Sequence, residues 1–286
     1  MGKLRKSIQR MSDRLLGNGA VLGRRGRARI AVVTVVDEEL NQLRPALGCT
    51  VNITATPYWV REQQSGEDYD VVLKQLADRG NLASGEGARE LVEDFRPHYL
   101  LLVGIGGGMQ GRDGTEVGDV VVVDYVDYYE FQKLSEGRSR VRKIPYDHPS
   151  KLLRADIAKP LVDAGNWAAA ISAARPIQGQ CKAIIGNLIT GEKLLADGSS
   201  AVQRALLNEY DKAIAVDMEA CGVARAVYAA RGSVHYNLQY AIIRGVSDLV
   251  DAQDNDGMRQ AWRPYAANAA ATFAARMIET LLTISD

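Results

Sequence analysis

From Ala28 onward the chain alternates short continuous apolar runs with helical patterns, and this restricts it to a sheet covered on both faces by helices. Ile30–Val36 (IAVVTVV) is the clearest buried strand, and Asp37-Glu38-Glu39 then supplies an acidic helix start. Tyr69–Leu73, Tyr99–Val103, Val120–Val126, Lys182–Ile189, Ala213–Val216 and Tyr240–Val246 read as further strands. Glu86–Phe95, a stretch from about Met218 to Ala230 and the Ala-rich Gly257–Leu282 read as helices. The expectation is an α/β fold, a single domain around one parallel or mixed sheet, with no internal repeat.

The first 29 residues differ from the rest. They hold nine Lys and Arg against one Asp, so a formally neutral chain carries +8 there and −8 elsewhere. Leu4, Ile8, Met11, Leu15 and Leu16 recur at helical spacing among these charges, and Gly17, Gly19, Gly23 and Gly26 follow as a linker. We therefore divide the chain into a basic amphipathic extension, 1–29, and an α/β domain, 30–286. The extension reads as a solvated arm packed on its own domain or a sister subunit, or as a membrane-surface or regulatory segment. No apolar run reaches the roughly 20 residues of a membrane span. The basic start has no apolar stretch behind it of the kind a secretory signal carries. Cys49, Cys181 and Cys221 are widely spaced, without disulfide or metal pattern, so a cytoplasmic location is expected. With no net charge, the chain does not read as a nucleic-acid binder.

In sheets of this kind the chemistry gathers where strands end. Three carboxylates stand at such junctions: Glu39 after the first strand, Glu219 in Val216–Ala220 (VDMEA), and Asp248 in Arg244–Asp248 (RGVSD). Each also suits an ordinary helix first turn, and spacing alone does not bring them together. The run Gly104–Gly108 lacks the Lys-Ser/Thr ending of a phosphate loop and the acidic partner of a dinucleotide fingerprint. A loop that lets backbone approach a flat ligand fits it better. His98, His148 and His235 show no ligand spacing, so neither a metal nor a covalent triad is expected.

These segments together resemble the nucleoside phosphorylase superfamily, and within it the methylthioadenosine/S-adenosylhomocysteine nucleosidase branch. The likeness spans about Ile30 to Leu282 and rests on Ile30–Glu39, Val103–Asp119, Ile189–Gly191, AVDMEA at 215–220 and RGVSD at 244–248. It implies a three-layer α/β/α fold around a mixed sheet curling towards a barrel, a homo-oligomer (dimer or hexamer), and no metal or cofactor. It also implies roles: Asp248 protonates N7 of a purine, Glu39 activates water, Glu219 binds the ribose hydroxyls and Met218 packs under the sugar. Ser247 would hold Asp248, with Arg244 orienting the same segment. Gly106, Gly107, Thr190, Glu192 and Leu195 would complete the substrate pocket, with Leu194 where the branch usually has an aromatic residue.

Phosphorylases of the superfamily hold phosphate with arginines, one before the glycine turn and one after the first strand. Here those places hold Leu102 and the acidic turn Asp37–Glu39, so water is the expected nucleophile. Tyr128–Lys133 and Trp262–Ala267 also resemble the phosphorylase-like effector domains of NLR-type and bacterial antiviral proteins, some of which cleave ATP. Arg138, Arg140, Arg142 and Lys143 are then candidate ligands for a 5′-phosphate chain, unless they form only a solvated loop. The expected activity is hydrolysis of an adenine nucleoside or nucleotide. A phosphate-dependent phosphorylase and a catalytically silent nucleoside sensor are the alternatives.

Overall fold

The computed structural model describes residues 27–284 apart from 54, 64–68, 136–137, 233–235 and 253–254. The expected amphipathic helix at 3–16 lies outside these residues. Strand β1 (Ala28–Thr34) leads into α1 (Asp37–Leu47). There follow β2 (Val51–Asn52), β3 (Tyr58–Glu62), β4 (Tyr69–Gln75), α2 (Asn81–Phe95), β5 (Tyr99–Gly108) and β6 (Val120–Tyr128). A small hairpin, β7 (Gln132–Ser135) and β8 (Arg138–Val141), stands apart from the main sheet. A widened helical turn at Leu152–Ala158 opens α3 (Lys159–Ala164), and β9 (Ala183–Thr190), α4 (Ala201–Glu209), β10 (Ala213–Asp217) and α5 (Ala220–Arg231) follow. The described chain closes with β11 (Gln239–Leu249) and α6 (Asn255–Ile284).

The nine-stranded mixed sheet has the order β10-β9-β6-β11-β5-β1-β4-β3-β2. The last turn of β10 also pairs back onto β5, Ala215 with Gly108 and Val216 with Gly107. The strands β5, β11, β6, β9 and β10 thus close into a ring at that end, which is the expected curl towards a barrel. Apolar residues fill both faces. Ala88, Leu91 and Phe95 of α2 and Val223 and Val227 of α5 pack on one side. Leu43 and Leu47 of α1 and Ala269, Phe273 and Met277 of α6 pack on the other, giving three layers.

The differences from sequence expectation are at element ends, and they shape the site. β11 runs past Val246 to Leu249, so Ser247 and Asp248 belong to the strand. Its register against β5 slips there: Val246 faces Gly106 and Asp248 faces Gly107. Ser247 is the extra residue of a β-bulge, a device that re-aims the next side chain. The glycine run is no loop, because β5 continues through Gly108. A side chain is excluded at Gly104, where a Cβ would fall on Glu39 Oε1 and Arg244 Nη1, and at Gly106, where it would stand 2.9 Å from the Val216 carbonyl oxygen. α2 begins at Asn81 rather than Glu86, and α5 at Ala220, which leaves Met218 and Glu219 in the turn before it. β1 starts at Ala28, two residues ahead of the expected domain boundary.

α6 lies close on β11 because its facing residues are small: Ala266, Ala267, Ala269 and Ala270 are buried. A Cβ at Gly245 would collide with the Ala266 carbonyl oxygen, a backbone atom that cannot swing aside. Gly245→Ala should therefore lower unfolding free energy by about 1–3 kcal/mol, the usual scale of overpacking, measured by urea denaturation.

Candidate active site

Glu39, Glu219 and Asp248 meet in one cleft. It is open to solvent, has a cavity volume of about 210 Å³ and is lined also by Gly106, Gly107, Leu194, Leu195, Met218 and Ser247. The carboxylates arrive from the ends of β1, β10 and β11, and the ring closure of the sheet sets those ends side by side.

Glu39 is 3% exposed and heavily bonded. Its Oε2 accepts the Thr34 hydroxyl (2.8 Å) and the backbone N–H groups of Val35 (2.8 Å) and Val36 (3.1 Å), closing the first turn of α1. Among the described residues its Oε1 accepts only the Ile105 N–H, at 2.7 Å, which leaves a second lone pair on that oxygen. Glu39 Oε1 and Arg244 Nη1 both border the space that a Cβ at Gly104 would take. Nη1 is buried and makes no hydrogen bond among the described residues.

Arg244 is the buried cation of the site, 1% exposed. Its Nε and Nη2 donate to Asp217 Oδ2 at 2.9 and 2.6 Å, and Nη2 also reaches Glu219 Oε2 at 3.1 Å. The expectation that Arg244 orients the Asp248 segment is corrected: its two acids are Asp217 and Glu219. Asp217 Oδ1 in turn accepts the N–H groups of Glu219 (3.3 Å) and Ala220 (3.2 Å), which fixes the turn entering α5. Glu219 Oε1 accepts the Gly80 N–H at 3.2 Å. Burial pushes the Glu219 carboxyl up to about 7 against the pull of Arg244, with Asp217 and Glu39 adding repulsion.

Asp248, 2% exposed, takes the Ser247 hydroxyl on Oδ1 at 2.7 Å, as expected. A second partner was not legible in the sequence. Arg259, from the first turns of α6, donates Nε to Oδ1 (3.2 Å) and Nη2 to Oδ2 (3.0 Å). Arg79, Lys193 and Arg263 also line the cleft and were likewise missed. They come from separate segments, so no local pattern announces them.

Thr190 and Glu192, expected in the substrate pocket, do not line the cleft. Asn81, at the start of α2, gathers them: the Thr190 hydroxyl donates to Asn81 Oδ1 at 3.3 Å, and the Asn81 N–H donates to Glu192 Oε2 at 3.2 Å. They brace the wall behind the site. Arg140 and Arg142 are exposed on and just after β8, outside the cleft lining, and Lys143 pairs with Asp127. Arg138 opens β8, and its side chain lies outside the described part. Arg140, Arg142 and Lys143 thus lie away from the lining that holds the three acids.

None of the three thiols lines the cleft, and burial raises all of them, Cys49 and Cys181 to about 12 and Cys221 to about 11. Such thiols are poor nucleophiles at neutral pH. Among the described residues no cluster of three His, Cys, Asp or Glu is placed to hold a metal ion, and no helix is long and apolar enough to cross a membrane.

A mixed sheet closed into a ring at one end, with three acids converging from its strand ends, defines a protein of the nucleoside phosphorylase fold. The chain belongs to the phosphorylase superfamily, whose sequence profile matches residues 87–283. It is 24% identical over 233 residues to the 5′-methylthioadenosine/S-adenosylhomocysteine nucleosidase of Exiguobacterium sp., covering 79% of this chain and 88% of that one. It is 26% identical over 205 residues to the ATP nucleosidase Cap17 of Escherichia coli, covering 68% of this chain but only 39% of that protein. Among solved structures, the methylthioadenosine/S-adenosylhomocysteine nucleosidase of Colwellia psychrerythraea in complex with adenine aligns with a TM-score of 0.69 at 19% identity, over 90% of this chain and 96% of that chain. Futalosine hydrolase of Helicobacter pylori aligns at 0.68 and 16% identity, over 89% and 98%.

The raised Glu219 has a consequence for stability. Between pH 4.5 and about 7 the folded chain holds a proton there that the unfolded chain has released, so stability falls as pH rises through that window. In Glu219→Gln the fall should be less steep, read from urea unfolding at pH 5 and pH 8. Arg244→Met, which strands two buried acids, should cost about 3–5 kcal/mol in the same assay.

Proposed function

We propose that this protein is a purine nucleosidase that hydrolyses the N-glycosidic bond of an adenine nucleoside or nucleotide without metal or cofactor. The convergence of Asp248, Glu39 and Glu219 in one cleft carries this reading. The named nucleosidases among its relatives support it. Asp248, fixed by the bulge at Ser247, donates a proton to N7 of the base. The C1′–N9 bond then breaks with its electrons leaving on the base, which N7 protonation makes a better leaving group. A water held by Glu39 Oε1 adds its oxygen to C1′ and gives its proton to Glu39. The lone pair that the Ile105 N–H leaves on that oxygen is the acceptor such a water needs. Glu219 accepts the ribose hydroxyls, with Met218 against the sugar. The negative floor also stabilises the developing ribosyl cation.

Hydrolysis is favoured over phosphorolysis by the surroundings of Glu39. Asp37, Glu38 and Glu39 open α1 together, and a phosphate there would meet repulsion of about 4 kcal/mol per contacting charge in a partly screened site. The homo-oligomer implied by the resemblance remains part of this proposal, supported by exposed Phe131 and Leu134 on the small hairpin.

Purified protein should release adenine from adenosine, methylthioadenosine, AMP or ATP in phosphate-free buffer, followed by chromatography. Asp248→Asn and Glu39→Gln should each lower kcat by about 10²–10⁴, with the fold retained by circular dichroism. Base release only upon addition of phosphate would show a phosphorylase instead.

A further inference from the structure

The cleft has two electrical zones. Its floor carries the buried acids Glu39, Glu219 and Asp248, each below a tenth exposed. Its rim carries Arg79, Lys193, Arg259 and Arg263. Arg79 is exposed, and its guanidinium has no hydrogen bond or ion pair among the described residues. Lys193 pairs with Glu130, and Arg263 with Glu38 at 3.2 Å, both partly exposed pairs of the kind that exchange easily for another anion. Arg259 and Arg263 stand one turn apart on α6, and so on the same helix face.

Arg259 belongs to both zones. Its Nη1 reaches the exposed Asp256 at 2.6 Å, while Nε and Nη2 cover both oxygens of Asp248. Ser247 occupies Oδ1 as well. A guanidinium has only donors, so it can neither supply nor relay the proton that N7 must receive. With Arg259 in this position Asp248 Oδ1 has both lone pairs engaged and Oδ2 one of its two, so a base meets a carboxylate already charge-paired at both oxygens. Full access of N7 to the carboxyl needs the guanidinium to move, and a move away from a buried carboxylate needs another anion to receive it.

We propose that Arg259 is a specificity-determining latch, covering Asp248 until a phosphate group on the sugar's 5′ carbon draws its guanidinium to the rim beside Arg263 and Arg79. This rests on the nucleosidase reading and adds to it the class of substrate, a nucleoside 5′-phosphate. An uncharged nucleoside enters the same floor but leaves the latch shut. The phosphate does its work in kcat, because it uncovers the acid, as well as in binding.

The test uses the full chain, with base release from adenosine, AMP and ATP by the wild type and by Arg259→Met. The wild type should turn over nucleotide at least about ten-fold faster than adenosine, the scale of one charge-assisted hydrogen bond. Arg259→Met should raise kcat for adenosine and erase the difference in kcat between the two. Inorganic tripolyphosphate added with adenosine should speed the wild type and leave Arg259→Met unchanged. A variant slowed equally on adenosine and ATP, or a wild type indifferent both to tripolyphosphate and to the 5′ charge, overturns the latch. Calorimetric titration gives a readout independent of turnover. In Asp248→Asn the carboxylate no longer holds Arg259, so the ratio of ATP to adenosine affinity should rise about ten-fold over that of the wild type. An unchanged ratio overturns the latch. If no substrate releases base, the nucleosidase reading fails, and this titration still decides whether Arg259 exchanges Asp248 for phosphate.

Discussion

Arg244 is the charge on which the site is assembled. Buried beneath the cleft, it ties Asp217, at the end of β10, to Glu219 in the turn that follows, from its own place in the middle of β11. Burying an arginine with two acids is expensive, and the attraction among them offsets that cost only when the geometry is good and the remaining valences are filled. Here they are filled largely by backbone. Asp217 caps the entry to α5, Glu219 takes the Gly80 N–H, and the remaining Nη1 borders the space beside Gly104, as Glu39 does. One cation thus keeps a cluster of acids together in a cleft that would otherwise have to protonate them or open.

The fold supplies the geometry that this cluster needs. Strand β5 lies between β1 and β11, and the return pairing of β10 onto Gly107 and Gly108 brings a fourth strand end to the same place. The glycines of β5 matter because side chains there would occupy the space of Glu39, Arg244 and the Val216 carbonyl. The bulge at Ser247 then sets Asp248 opposite Gly107, and the alanine face of α6 allows that helix to approach closely enough for Arg259 to reach it. Small residues in the middle of the sheet and helix, and long polar ones at their ends, are two halves of one arrangement.

Much of this is written locally in the sequence, and some of it is not. The apolar runs give the strands because a sheet buried on both faces needs continuous rather than alternating hydrophobicity. Glu39, Glu219 and Asp248 are visible because each stands at or just after the end of an apolar run, within a compact motif. Gly104–Gly108 misleads, since a glycine run reads as a loop until the groups that crowd it are known. Arg138–Lys143 is a dense run of cations whose place could not be read locally: these residues lie on and after a separate hairpin. The cleft's cations are Arg79, Lys193, Arg259 and Arg263, scattered over nearly two hundred positions and joined only by the closure of the sheet. Glu192 is displaced from the cleft by a bond to Asn81 that is 111 residues away in sequence. Pairings of that range leave no periodic trace.

The central claim is that three acids from three strand ends act on one nucleoside. A crystal structure of Asp248→Asn soaked with adenosine tests it most directly, because the substitution preserves shape while removing the acid. Residue 248 should lie about 3 Å from N7 and Glu219 at a similar distance from the ribose hydroxyls, with a water on Glu39 facing C1′. Adenosine bound outside this cleft, or bound in it with C1′ turned away from Glu39, would contradict the account.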